Sequence, residues 1–204
     1  MLEFEKKVLI TQKEYEMLTE QKYTNGTTYR QTNYYYDTDD FKLNKSGITC
    51  RVRERDGSCK ATIKDHQHPW QECSVENLIS CKGEPDKFFK RLGLQCQGSL
   101  QTERTVFTVC PGVGVMIDKN TYLDAVDYEL EVEYDLRFEA TAYMEMKAIE
   151  SFILSNEGKD AASEFHRRIG KGDRKSERFF KRKAHLKKML GKKRASFDSQ
   201  LGKE

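Results

Sequence analysis

The sequence has few of the features that mark membrane, secreted or zinc-binding proteins. No apolar run approaches the roughly 20 residues that span a bilayer, and hydrophobic residues make up only 37% of the chain. No Cys-x-x-Cys spacing is present, so a zinc site and a disulfide framework both lack support, and we expect free thiols in a reducing compartment. The cysteines are Cys50, Cys59, Cys73, Cys81, Cys96 and Cys110. A charged segment begins at Glu3, leaving no room for a signal peptide, so we expect a cytoplasmic protein without a membrane partner.

Charge is abundant but balanced. Charged residues make up 34% of the 204 residues, which is above the usual quarter. The 36 Lys and Arg residues against 33 Asp and Glu leave a formal net charge of +3, which by itself is too small to imply nucleic acid. A chain of this length suits one domain with a real core. The fold must therefore accommodate more charged side chains of both signs than an average domain carries.

Rows of charged residues recur along the predicted strands. Side chains of a strand alternate between two faces, so every second residue shares a face. One such row is what any half-solvated strand shows. Several rows of both signs instead suggest a bound group that neutralises them, because like charges in a row repel one another. The rows are Glu3, Glu5 and Lys7; Arg51, Arg53 and Arg55; and Glu129, Glu131 and Glu133.

The remaining patterns predict a sheet surrounded by helices. We expect roughly seven or eight strands, mostly joined by short turns. Thr11 and Glu14 form a capping-box pattern at a first helix. Further helices are predicted over 85–92 and 142–154, with a loop over 155–174 and a helical or partly extended segment over 175–190. Closure into a barrel would remove the sheet edges. The predicted fold class is α+β, mainly β: an eight-stranded antiparallel closed barrel, or tunnel, with flanking helices.

The interior of an eight-stranded barrel holds side chains or one small ligand. If the apolar faces pack outward against the helices, the charged rows point inward, where charge is costly unless it is paired or bound to metal. Arginine binds phosphate through two N–H groups, and carboxylates suit Mg²⁺ or Mn²⁺, so metal-bound polyphosphate would satisfy both signs. The inward set is Glu3, Glu5, Lys7, Arg51, Arg53, Lys60, Lys64, Glu72, Arg104, Asp118, Glu129 and Glu131.

These segments, in this order, resemble the CYTH or triphosphate tunnel metalloenzyme superfamily. The N-terminal E-x-E-x-K signature of that family matches Glu3-Phe4-Glu5-Lys6-Lys7. Later motif strands are similar to Arg51-Val52-Arg53, Ala61-Thr62-Ile63-Lys64 and Glu129-Leu130-Glu131, and the stretches 33–38 and 127–131 are typical of stand-alone bacterial members. The resemblance covers roughly residues 2–182. We therefore assign residues 1–182 to the tunnel domain and 183–204 to a basic tail that we expect to be solvated.

The resemblance implies a tunnel in which basic side chains hold a triphosphate and carboxylates hold Mg²⁺ or Mn²⁺. The implied metal ligands, direct or through water, are Glu3, Glu5, Asp118, Glu129 and Glu131. The implied phosphate-binding residues are Lys7, Arg51, Arg53, Lys64, Arg104 and Lys175, with Lys60 as an alternative to Lys64 and Glu72 as a further metal ligand or a support for one. Catalysis is assigned to Glu5, Lys7 and Glu131, and the base is either a glutamate or a metal-bound hydroxide.

The expected activity is metal-dependent hydrolysis of the terminal phosphoanhydride of a triphosphate. We favour inorganic tripolyphosphate as the substrate, and thiamine triphosphate and nucleoside triphosphates stay open. Two alternatives stay open. The chain could cyclise ATP to cyclic AMP and pyrophosphate, although no base-reading motif is recognisable. It could also be a non-catalytic module that binds polyphosphate or nucleotide, although a pure anion binder has little use for inward carboxylates. The expected partner is the small triphosphate or polyphosphate substrate, and nucleic acid is not expected. The sequence leaves open whether the protein forms a homodimer.

Overall fold

A computed structural model describes the backbone of residues 2–66, 73–79 and 85–201, and the side chains of residues 4–66, 77 and 87–191. Contacts divide the chain into two compact units, residues 1–172 and 173–204. The described strands of the first unit are β1 (Leu2–Ile10), β2 (Thr27–Asp37), β3 (Ile48–Arg55), β4 (Ser58–Asp65), β5 (Cys73–Ile79), β6 (Gln95–Cys110), β7 (Val113–Tyr122) and β8 (Ala125–Tyr134). Its described α-helices are α1 (Gln12–Met17), α2 (Lys42–Lys45), α3 (Pro85–Arg91), α4 (Glu139–Glu157) and α5 (Lys159–Arg168).

The strands pair antiparallel throughout. Their order is β1-β5-β4-β3-β2-β6-β7-β8, and β8 pairs again with β1, so the sheet closes into a barrel. The seam between β1 and β5 is short, because only Leu2, Phe4 and the residue between them pair with β5. The predicted mainly antiparallel α+β architecture with flanking helices is confirmed.

The apolar side of the barrel strands packs outward. Val8 and Leu130 are fully buried in one cluster with Ile149 of α4. Val52 is buried in a second cluster with Phe89 of α3. Because successive side chains of a strand point to opposite faces, the charged rows on these same strands face the barrel interior. The barrel is therefore apolar outside, under the helices, and polar inside.

The first helix begins where the sequence predicts it. The Oγ1 of Thr11 accepts a hydrogen bond from the backbone N–H of Glu14 at 3.2 Å, and the Oε2 of Glu14 accepts one from the backbone N–H of Thr11 at 2.7 Å. The helix continues into a π-helical turn at Leu18–Lys22. Glu14 also pairs with the guanidinium of Arg168 at 2.5 Å, so the capping box is tied to the end of α5.

Replacing Thr11 by alanine is expected to lower the free energy of unfolding by about 1 kcal/mol, because the backbone N–H of Glu14 loses its acceptor. Urea denaturation followed by circular dichroism measures the loss. Thr11→Ser keeps the accepting oxygen and serves as the matched control. An equal loss in both variants would contradict the capping role.

The segment predicted to be a loop, residues 155–174, is largely helical, so that prediction was wrong. α4 runs to Glu157, and after Gly158, whose φ is 87°, α5 begins at once. Ala162 and Phe165 are buried in the same cluster as the outer face of β1 and β8. These two residues, one helical turn apart, supply the apolar face that holds α5 in place.

The chain that follows α5 runs along the part of β1 that β5 does not cover. The backbone N–H of Gly170 donates to the carbonyl oxygen of Lys7 at 2.8 Å, and the guanidinium of Arg168 donates to the carbonyl oxygen of Leu9. A Cβ on Gly172 would lie 2.9 Å from the Cγ of Leu9, so this close approach requires glycine. Residues 168–172 thus satisfy strand carbonyls that the short seam leaves uncovered.

The second unit contains α6 (Lys175–Leu201). Residues 175–190, predicted to be helical or partly extended, are helical, and the helix continues through most of the segment predicted to be a basic tail. The predicted division at residue 182 stays a prediction. Among the described helices, none combines the length and the apolar character needed to cross a membrane.

Candidate active site

Strand register brings the predicted charged rows together inside the barrel. On the paired strands β1 and β8, Glu5 lies opposite Glu133 and Lys7 opposite Glu131. On β7, Asp118 lies opposite Glu129 of β8 on one side and opposite Arg104 of β6 on the other. Residues far apart in sequence therefore form one continuous charged surface across β1, β8, β7 and β6.

Three carboxylates converge on one point of this surface. Glu5, Glu131 and Glu133 each place an oxygen within 4.8 Å of the other two. The Nζ of Lys7 lies 3.9 Å from the Oε1 of Glu5, beside the cluster. Carboxylates this close repel one another unless a cation lies between them, and an all-oxygen donor set suits Mg²⁺ or Mn²⁺. The residues present therefore fit the divalent cation that the sequence implies.

Glu133 is a member of this cluster that the sequence interpretation did not assign. Its side chain is 40% exposed, against 9% for Glu131, so it lies nearer to solvent. A signal was present in the sequence, because Glu133 follows Glu129 and Glu131 on the same strand face. Assigning every member of that row to the site would have included Glu133.

Arg104 is surrounded by carboxylates. Its Nε and one terminal nitrogen donate to the two oxygens of Asp118 at 2.8 and 2.7 Å, a bidentate pair. The same terminal nitrogen donates to Glu131, and the other lies 3.6 Å from Glu133. Burial alone would lower the pKa of Arg104, but the charges of Asp118 and Glu131 outweigh burial and raise that pKa well above its usual value. The guanidinium is therefore a permanent cation in the middle of the acidic surface.

The basic residues of β3 and β4 lie on the inward face of the neighbouring strands. The Nε of Arg51 donates to the Oγ1 of Thr62 at 3.0 Å, and the Nε of Arg53 donates to the Oδ1 of Asn33 at 3.1 Å. Lys64 is half-buried on the same face, whereas Lys60 is exposed. These hydrogen bonds help to fix the planes of the two guanidinium groups, and a fixed guanidinium suits binding of an anion.

A network of uncharged polar side chains around Asp127 lines the interior next to Asp118. The Oγ1 of Thr102 donates to the Oδ1 of Asn120 at 2.8 Å, and the Nδ2 of Asn120 donates to Asp127 at 3.0 Å. The hydroxyl of Tyr122 donates to the other oxygen of Asp127 at 2.7 Å. Thr102 and Asn120 are fully buried. The sequence interpretation missed Thr102 and Asn120 because it followed charge alone, although they lie two residues from Arg104 and Asp118 on the same strand faces.

The structure brings together part of the predicted metal set. Glu5 and Glu131 lie in the carboxylate cluster, whereas Asp118 is bidentate with Arg104 and Glu129 is buried opposite Asp118. Glu72 and the side chain of Glu3 lie outside the described residues. Lys175 is the first residue of α6 and belongs to the second compact unit, not to the barrel unit. The individual roles of these residues stay predictions.

The sequence and the fold were compared with known proteins. A CYTH domain model matches residues 1–167. The Bacillus subtilis protein YjbK, named as a candidate triphosphatase, is 27% identical over 152 residues, which cover 65% of this chain and 77% of YjbK.

Solved structures share the fold. One is a protein of Bacillus halodurans described as a candidate adenylate cyclase; it has a TM-score of 0.56 and 24% identity, and the match covers 72% of this chain and 89% of that one. Another is HpAC1 of Hippeastrum, described as a candidate adenylyl cyclase with a dominant triphosphatase activity; it has a TM-score of 0.54 and 16% identity over 72% and 87% of the two chains. Because the family model spans most of the sequence, this chain belongs to the CYTH domain family.

Proposed function

We propose that this protein is a divalent-metal-dependent triphosphatase that hydrolyses the terminal phosphoanhydride of a triphosphate, with inorganic tripolyphosphate as its substrate. The observation that carries the proposal is that a carboxylate cluster and arginine side chains face the same barrel interior. Glu5, Glu131 and Glu133 form a cluster that fits a cation, and Arg51 and Arg53 project from strands of the same interior. A metal-bound triphosphate is a small ligand that needs both groups, because carboxylates bind its metal ion and arginines bind its phosphate oxygens.

Each group has a part in the proposed reaction. Glu5, Glu131 and Glu133 would hold Mg²⁺ or Mn²⁺, which when bound neutralises charge on the phosphate oxygens. Lys7, Arg51, Arg53 and Lys64 bind and orient the phosphate chain, because positioning and electrostatic stabilisation supply most of the catalysis in phosphoryl transfer. Water attacks the terminal phosphorus, the bridging oxygen leaves on pyrophosphate, and a glutamate of β1 or β8 accepts the proton of the water.

The test is phosphate release from tripolyphosphate by the full chain, with Mg²⁺, with Mn²⁺ and with EDTA. We expect orthophosphate and pyrophosphate in equal amounts with at least one metal and none with EDTA. ATP is assayed in parallel with separation of the products. Formation of cyclic AMP would replace the proposal by the cyclase alternative, and binding of tripolyphosphate without turnover under both metals would replace it by the binding-module alternative.

A further inference from the structure

Arg104 contacts the same glutamates that form the cation cluster. Glu131 and Glu133 belong to the group that converges with Glu5, and both also lie against the guanidinium of Arg104. The side chain of Arg104 is only 9% exposed. The third partner, Asp118, is fully buried and is not a member of the cluster. Arg104 therefore contacts two members of the cluster and also Asp118, which lies outside it.

The charges explain why a resident cation is needed. Asp118, Glu129 and Glu131 are all buried, and they lie on adjacent strands of the barrel. Buried carboxylates without a counter-ion are strongly unfavourable, so a protein that releases its metal must neutralise them by another means. Arg104 supplies that charge from within the chain.

A guanidinium and a divalent ion cannot use the same glutamate oxygens at full strength. A divalent ion of this class binds oxygen at about 2.0–2.1 Å and takes up the lone pairs that the N–H groups of arginine would use. Its double charge favours it over the guanidinium at Glu131 and Glu133. The bidentate pair with Asp118 lies outside the cluster, so it survives the exchange.

We propose that Arg104 is a positioning residue that occupies Glu131 and Glu133 in the metal-free protein and is displaced from them, but not from Asp118, when the divalent ion binds. Arg104 and the metal therefore compete for two glutamates. The displaced edge of the guanidinium then faces the interior, where it can meet a phosphate oxygen. This inference rests on the proposed function, because it requires the cluster to be a metal site.

The competition is tested with Mn²⁺ alone, without substrate. The full-length protein is stripped with EDTA and titrated with Mn²⁺ by calorimetry, with free Mn²⁺ checked by electron paramagnetic resonance. Arg104→Gln is expected to bind Mn²⁺ about tenfold more tightly than the unmodified protein, a coupling of ordinary size between two ligands of one site. Arg53→Gln removes one positive charge from the same interior, at a residue whose Nε contacts Asn33. Its affinity is expected to rise by less than about threefold.

Thermal unfolding gives a second readout that does not depend on catalysis. Without metal, Arg104→Gln is expected to melt well below the unmodified protein, because the buried carboxylates lose the positive charge that Arg104 supplies. Mn²⁺ should raise its melting temperature more than it raises that of the unmodified protein. If Arg104→Gln does not fold, Arg104→Lys keeps a charge but not the bidentate geometry, and its Mn²⁺ affinity should still rise.

Two outcomes would overturn the inference in different ways. Unchanged or weaker Mn²⁺ binding by Arg104→Gln, with normal binding by the unmodified protein, would mean that Arg104 does not compete with the metal. Absence of Mn²⁺ binding by the unmodified protein would remove the metal site and the proposed function together.

Discussion

Replacing Glu131 by glutamine is expected to lower tripolyphosphate hydrolysis by at least about 100-fold, the loss that follows removal of one key electrostatic group from an active site. Glutamine keeps the shape of the side chain but not its charge. The cation cluster would then lose one of its three carboxylates, the one that lies closest to Arg104. Glu5→Gln should cause a loss of the same order, because Glu5 belongs to the same cluster.

The measurement is the initial rate of phosphate release at saturating Mg²⁺ or Mn²⁺. Glu164→Gln is the matched control, since Glu164 lies on the exposed side of α5, where it pairs with Arg167. Its rate should equal that of the unmodified protein. A Glu131→Gln enzyme that keeps most of its activity while folding normally would remove Glu131 from the site.

Replacing Phe165 by alanine is expected to lower the free energy of unfolding by about 3–5 kcal/mol, as for other large core residues. Phe165 is fully buried in the cluster that joins α5 to the outer face of the barrel. Its loss would leave a cavity in this cluster, which also contains the fully buried Leu130 and Ile149.

Urea denaturation curves measure this loss, and the slope of the transition checks that unfolding stays two-state. Tyr143→Ala, on α4, is the control, because Tyr143 is 53% exposed and its removal should change stability by at most about 0.5 kcal/mol. A Phe165→Ala protein as stable as this control would mean that α5 does not pack on the barrel in solution.

Much of the site could be predicted because strands have a period of two. Once Glu5 and Asp118 were placed on strands, alternation determined which face of its strand each residue shares. The apolar residues that alternate with the charged ones identified the outer side of the barrel. The same rule would have added Glu133, Thr102 and Asn120 had every member of each row been assigned to the site and had neutral residues been included.

Two features could not be predicted in this way. The partners of Arg104 depend on strand register, which places Asp118 beside it and brings Glu131 within reach, and single-chain periodicity does not determine register. The polar composition of α5 and the glycines that flank it predict a loop, whereas the segment is helical. Its stability comes from packing of Ala162 and Phe165 on the barrel rather than from local propensity.

The hydrogen bonds that residues 168–172 donate to β1 limit where the chain can be truncated. The family match ends at residue 167, but Arg168 and Gly170 supply the donors for the carbonyls of Leu9 and Lys7. A shortened protein ending at residue 167 would expose those acceptors as an open strand edge, which other molecules can extend by pairing. Aggregation of such a fragment would reflect this missing cover rather than failure of the barrel to fold.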